Sequence, residues 1–241
     1  MEASDFEIFA EYYDHLYLRR GKDYQKEAEI LEKIIRENER RKSKILLDVG
    51  CGTGGHLAYL SKNFDCTGVD INRRMIEKAK RKVPEARFRV ADMINLRLKD
   101  DFDVITCLFS AIGYAQNING LVKTFQGFHE HLNEKGMVIV EPWVFKKDIK
   151  KGTISLDTVE DEKVKFVRMA TSKIDRSQWL VFMHYLIGRE EEIRYYKEVH
   201  KMIVADCEDY LEAFKLAGFK DAIFLKENLW NGCRGLFVAL E

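Results

Sequence analysis

No surplus of charge, no long apolar run and no paired cysteines mark this 241-residue sequence, and each absence removes a class of function. Lysine plus arginine number 40 and aspartate plus glutamate number 40, so no overall field draws the chain to nucleic acid or an anionic membrane. No stretch approaches the roughly 20 consecutive apolar residues of a membrane-spanning helix. The opening residues, MEASDFEIFAEYY, are acidic and helical in pattern, without the basic n-region and apolar h-region of a secretory signal. The expected partner is therefore a small molecule, with no nucleic acid and no membrane, and the expected location is cytoplasmic, as a monomer or homodimer. The five cysteines (Cys51, Cys66, Cys107, Cys207 and Cys233) are odd in number and scattered, which speaks against a disulfide framework and a zinc site. Six histidines (His15, His56, His129, His131, His184 and His200) have no metal-ligand spacing; His129 and His131 are two apart and do not share a helix face. No metal is expected. Each histidine reads as surface or satisfied core, with His15 and His184 the two worth testing.

What is present is enough apolar residue, 46%, for one full core. Residues 5–18 and 22–41 read as helices; in the second, Tyr24, Ala28, Leu31 and Ile35 recur at helical spacing. From Ile45 the period changes. Short apolar strands (45–47, 66–69, 86–90, 102–108 and 137–140) alternate with helical segments near 55–62, 72–82 and 117–132, a pattern that implies right-handed crossovers and a parallel sheet covered on both faces. After Pro142 the alternation stops. KVKFVRMATSKI, WLVFMHYLI and IRYYKEVHKMIV read as consecutive strands of an antiparallel meander, before a helix at 206–217 and final strands at 220–225 and 234–240. The expected fold class is α/β: a mostly parallel seven-stranded sheet with an antiparallel final hairpin. Residues 1–43 form a helical cap, 44–142 and 206–241 the sheet domain, and 143–205 a β-rich insertion over the active site.

The segment LLDVGCGTGG sets Gly50, Gly52 and Gly54 between a strand and a helix, where glycine permits unusual backbone angles and close approach of a ligand to the main chain. Gly50, Gly52 and Gly55 also satisfy G-x-G-x-x-G, so the glycines alone fit a dinucleotide as well. The acids separate the two. Asp48 stands beside the loop, where it repels a pyrophosphate and welcomes a cationic amine, and S-adenosylmethionine carries an amine and a sulfonium. Asp70 ends the second strand, positioned for ribose hydroxyls, and Asp92 ends the third, within reach of an adenine edge.

With D-x-G-x-G-x-G followed in order by Asp70 and Asp92, the chain resembles the class I S-adenosylmethionine-dependent methyltransferases. The resemblance implies a Rossmann-like fold and S-adenosylmethionine as cofactor. It implies that Asp48, Gly50, Gly52 and Gly54 hold the methionine portion and that Asp70 holds the ribose. Ile71 and Met75 would flank the adenine, Asp92 and Met93 would contact its edge, and Leu108 would line the methionine pocket; Met75 reads equally well as helix core. A narrower resemblance, carried by YYDHLY, RGKDY, CLFSAIGY, VIVEPWVF and CRGLFVAL, is to the N,N-dimethyltransferases of nucleotide-linked 3-amino sugars. It implies Tyr24 as a lid on the cofactor, Tyr114 as the polar aromatic near the acceptor amine, and Tyr13, Tyr17, Trp143 and Arg234 as acceptor-binding residues. Some members of that group carry histidine where this chain has Tyr114, which argues against a general base there. Two other readings stay open: a methyltransferase of an oxygen, carbon or other nitrogen acceptor, and a non-catalytic cofactor-binding module.

Overall fold

A computed structural model describes residues 7–39, 42–150, 152–160, 164–175, 178–226, 229–230 and 232–241. Its helices are α1 (Glu7–Arg19), α2 (Tyr24–Asn38), α3 (Leu57–Leu60), α4 (Arg73–Lys82), α5 (Ile118–Glu130) and α6 (Cys207–Leu216). Strands β1 (Ile45–Val49), β2 (Asp65–Asp70), β3 (Arg87–Val90), β4 (Phe102–Cys107), β5 (Leu132–Val140), β10 (Asp221–Leu225) and β11 (Leu236–Leu240) make one sheet, ordered β10-β11-β5-β4-β1-β2-β3. β1 to β5 pair in parallel, and β11 runs antiparallel to both β5 and β10. Residues 5 and 6 of the first expected helix, and 40 and 41 of the second, lie outside the described residues.

Both faces of this sheet are covered, which explains why its central strands are apolar throughout rather than alternating. On one side Leu47, Val49, Ile105, Cys107, Val138 and Val140 pack under Phe125 and Phe128 of α5 and Phe214 of α6. On the other, Leu46, Val104, Met137 and Ile139 meet Leu31 and Ile35 of α2, Leu57 and Leu60 of α3, and Ile76 and Ala79 of α4. Local chemistry starts the helices. Asp23 caps α2 by accepting from Lys26 N–H, Asn72 caps α4, Asn117 caps α5, and Asp206 with Asp209 forms a capping box on α6. Among the described residues no helix is long and apolar enough to cross a membrane.

Strands β6 (Ser155–Glu160), β7 (Val164–Asp175), β8 (Gln178–Arg189) and β9 (Glu192–Ile203) form a second, antiparallel sheet in chain order. β6 was not expected from sequence. It lies at the sheet edge, laddered to β7, and its inward residues are Asp157, which pairs with Arg168 and Arg20, and buried Val159, so its sequence carries little apolar alternation. The expected helix near 55–62 shrinks to the four residues of α3, preceded by turns through 52–56. Helix α1 joins the two sheets. Tyr12 stacks on Phe166 at 4.8 Å and its hydroxyl accepts from Arg189, while Asp14 accepts from Thr53 of the glycine loop at 2.6 Å and from Lys82 of α4 at 2.7 Å.

Candidate active site

The order of the main sheet reverses between β1 and β4: β2 and β3 extend one way from β1, and β4 and β5 the other. Ligands of open α/β sheets bind outside the carboxyl ends of the strands at such a point. The glycine loop begins there. Asp48 stands opposite Thr106 in the β1–β4 register and accepts from its hydroxyl at 2.9 Å. Burial pushes the Asp48 carboxyl up to about 7, against the Thr106 bond and helped by nearby Asp70. Gly50 (φ 71°) lies so close to Ala111 that a Cβ would stand 2.6 Å from the Ala111 Cβ. Gly52 (φ 54°) faces open space, with the Tyr13 hydroxyl 4.0 Å from a notional Cβ, whereas Gly54 (φ 77°) turns toward Ala79 and Val83 of α4. Asp70 braces the loop from β2: one oxygen accepts from Gly52 N–H at 2.9 Å and the other from Asn72 N–H at 2.8 Å. A carboxylate has about four acceptor positions, so a brace of two amides is compatible with two further hydroxyl donors.

Gly55 is explained by Tyr24. A Cβ at Gly55 would lie 2.6 Å from the Tyr24 ring, so the tyrosine rests on the bare glycine and closes one side of a cleft that Tyr13, Asp48, Gly50, His56 and Leu108 also line. Gly55→Ala is expected to cost about 1–3 kcal/mol by overpacking, and Gly52→Ala about 1–2 kcal/mol from its left-handed backbone alone. Thermal denaturation of the two variants reads both costs; an unchanged melting temperature for Gly55→Ala would mean that Tyr24 yields freely.

Beyond Tyr24, the RGKDY element supplies a group that sequence reasoning missed. Lys22 Nζ lies 2.7 Å from Glu27 Oε2 and 3.8 Å from the centroid of the Phe109 ring. The same Glu27 oxygen is 2.8 Å from His56 Nε2, and burial lowers the imidazole, so a neutral His56 donates to Glu27. His56 directly follows Gly55; its place in the loop was the available signal. Phe109 (φ 51°) and Ser110 (φ 62°) adopt left-handed backbone just after β4, which costs non-glycine residues of order 1–3 kcal/mol and is concentrated at functional sites. They are held there by the end of β5: Glu141 accepts from Phe109 N–H at 2.7 Å, and Ser110 donates to the Pro142 carbonyl at 2.9 Å.

The other expected residues fall into groups. Tyr13 and Tyr17 of α1 pack edge-on at 4.7 Å, and Tyr17 meets Phe109 at 4.7 Å. Tyr114 sits on the 3₁₀ turn Ala111–Ala115, its hydroxyl 2.8 Å from His200 Nδ1 on β9. Trp143 and Arg234 come together across the fold, with the guanidinium 5.7 Å from the indole centroid and Trp179 of β8 on the same ring system at 5.6 Å. Ile71 is 68% exposed beside Asp70, and Asp92 caps the turn that carries Met93 by accepting from Ile94 N–H. Met75 is buried with Ala10, Tyr12 and Leu16 under α1. The histidines divide between surface and bonded interior. His15 is exposed and His184 is half-buried and bonded to Tyr195, while His56 lines the cleft and His200 meets Tyr114. His131 is satisfied core as expected, bonded to Gly127 and Leu98.

Residues 46–136 match a methyltransferase domain family. Over 233 residues the chain is 32% identical to the dTDP-3-amino-3,4,6-trideoxy-α-D-glucopyranose N,N-dimethyltransferase of Streptomyces venezuelae, covering 96% of this chain and 97% of that one. The chain belongs to the class I S-adenosylmethionine-dependent methyltransferases. The methyltransferase also superposes on the crystal structure of Streptomyces venezuelae DesVI with a TM-score of 0.86 at 31% identity, covering 95% of this chain and 97% of that one. An amino pentose methyltransferase of Micromonospora echinaspora, solved with S-adenosylmethionine bound, gives 0.82 at 29% identity over 100% of this chain and 99% of that one. S-adenosylmethionine is the cofactor, and the residues present suit it: a buried, uphill Asp48 for a cationic amine, two Asp70 oxygens for a diol, and a glycine at 52 that leaves the main chain open.

Proposed function

We propose that the methyltransferase methylates the amino group of a nucleotide-linked amino sugar. The observation that carries this reading is the aromatic cluster of Tyr13, Tyr17 and Phe109, of which Tyr13 and Phe109 line the cleft, with Tyr114 on the adjoining 3₁₀ turn and the Trp143–Arg234 pair beyond it. The relatives' own named substrates, dTDP-linked amino sugars, support it. Asp48, Gly50, Gly52 and Asp70 hold the methionine and ribose parts of the cofactor, Ile71, Asp92 and Met93 its adenine, and Tyr24 covers it. Residues 143–205 act as the insertion that closes the acceptor side over the cap of residues 1–43. A cytoplasmic setting belongs to the same reading, and the five unbonded cysteines accord with a reducing compartment.

The bound cofactor supplies an activated methyl group, so the protein's task is alignment in a dry pocket more than proton chemistry. A neutral amine attacks the methyl carbon as the sulfur departs, and the product ammonium must lose a proton before a second transfer. Burial raises Tyr114 far above the ordinary phenol range, so the hydroxyl stays protonated and orients the amine through hydrogen bonds. Tyr114→Phe is expected to lower kcat about tenfold; a loss of several orders of magnitude would reveal an acid–base role. Arg234, exposed and stacked on Trp143, is suited to an acceptor phosphate. With a dTDP-linked amino sugar, Arg234→Ala is expected to raise KM about tenfold or more, with kcat and cofactor affinity unchanged. Unaltered KM would remove the phosphate contact and weaken the nucleotide-sugar reading with it.

A further inference from the structure

The inward face of the insertion sheet is unusually polar for a surface packed on a core. In the register of β9, Glu198 and His200 alternate inward with Met202, and all three are buried. His200 Nδ1 lies 2.8 Å from the Tyr114 hydroxyl, and its buried Nε2 lies 3.3 Å from Glu198 Oε2, an electrostatic approach without hydrogen-bond geometry. The same carboxylate oxygen accepts from the Tyr185 hydroxyl of β8 at 2.8 Å. Four side chains on three elements therefore meet in sequence, Tyr185, Glu198, His200 and Tyr114, and only the last stands on the turn that follows β4.

We propose that His200, held by Glu198, is a positioning residue that fixes the direction of the Tyr114 hydroxyl for the acceptor amine. The proposal rests on the acceptor reading above for its use, and on geometry alone for its existence. The Glu198 carboxylate lies on the Nε2 side of the ring, and its negative charge favours the neutral ring form with the hydrogen on Nε2, which leaves Nδ1 as an acceptor. The Tyr114 O–H then donates to Nδ1. Having given its hydrogen to the imidazole, the Tyr114 oxygen is an acceptor toward everything else it meets, which is the polarity that an amine N–H requires. The logic is that of any imidazole oriented by a carboxylate behind it, applied to alignment and not to proton abstraction. Nothing is transferred within the line, so the ring form is the same before and after each turnover.

Two measurements test it. In protein labelled with ¹⁵N-histidine, the His200 ring nitrogens should report hydrogen on Nε2 and a hydrogen-bonded, unprotonated Nδ1, and Tyr114→Phe should move the Nδ1 resonance. Hydrogen on Nδ1, or no response to Tyr114→Phe, overturns the proposal whatever the acceptor is. In turnover with the dTDP-linked 3-amino sugar of the relative, read as S-adenosylhomocysteine release, His200→Leu should lower kcat about tenfold. His200→Asn, which keeps an acceptor near the Nδ1 position, should recover most of that loss. The H200L change added to Y114F should cost less than a further twofold, because His200 acts through Tyr114. Multiplying losses, or a tenfold change in S-adenosylmethionine Kd by calorimetry, would mark His200 as merely structural. Should the wild-type protein methylate no amino sugar, the acceptor reading falls, while the ring-nitrogen measurement still decides the inference.

Discussion

Asp48→Asn is expected to make the methyltransferase more stable above pH 7 and at the same time a poorer binder of its cofactor. The Asp48 carboxyl is 2% exposed and is pushed up to about 7 by burial, whereas in an unfolded chain it titrates near 4. Below about pH 4 it is protonated in both states. Between about 4 and 7 the folded protein holds a proton that the unfolded chain has lost, so stability falls as pH rises through that window and levels off above it. Three pH units at about 1.4 kcal/mol each set a ceiling of about 4 kcal/mol. Asparagine cannot ionise and escapes the loss, while its carbonyl still accepts from Thr106. Thermal denaturation at pH 8 should therefore favour the variant. Cofactor binding should move the other way. A cationic amine beside Asp48 favours the ionised form, so wild-type affinity rises with pH through about 7 and then flattens; the variant binds about tenfold or more weakly, and flatly with pH. Glu141 is also raised to about 7, chiefly by burial, and Glu141→Gln separates its contribution. Unchanged cofactor affinity in a folded Asp48→Asn protein would remove the amine from this site.

Asp70→Ala is expected to raise the Kd for S-adenosylmethionine about 10–100-fold. The expected loss of charge-assisted bonding to the ribose hydroxyls is about 1.5–3 kcal/mol in all, the range of one such bond, because water takes up the freed hydroxyls. The substitution also deprives Gly52 N–H and Asn72 N–H of their acceptor, so the glycine loop loosens together with the ligand contact. Asp70→Asn keeps a single acceptor oxygen and should fall between the two. Calorimetry with S-adenosylhomocysteine, alongside circular dichroism to establish folding, reads the effect. Unchanged affinity would contradict the ribose assignment, and micromolar NAD binding would count against the cofactor family as a whole.

Much of the molecule was legible from local pattern. The strand–helix alternation from Ile45 to Val140, the antiparallel return of β11, and the loop with Asp48, Gly50, Gly52, Asp70 and Asp92 all stand where residue spacing put them, because hydrophobic period and glycine geometry act over a few neighbouring residues. Met75 illustrates the boundary. Its helical phase was clear, but whether that phase faces an adenine or Tyr12 and Leu16 depends on where α1 lies. β6 was missed because Asp157 is satisfied by Arg168 and Arg20, 11 and 137 residues away.

Sequence by itself determined the fold class, the cofactor loop and the identity of the acids around it, since those follow from short-range periodicity and from chemistry carried within one or two turns of chain. Only the tertiary structure decided which distant polar groups meet. His200 reaches Tyr114 across 86 residues and Arg234 finds Trp143 from the far end of the chain. Lys22 and His56 converge on one oxygen of Glu27. A lone histidine or arginine in sequence has no period to reveal its partner; desolvation makes the partner necessary, and the packing of the insertion and α1 against the sheet's carboxyl edge selects which one it is.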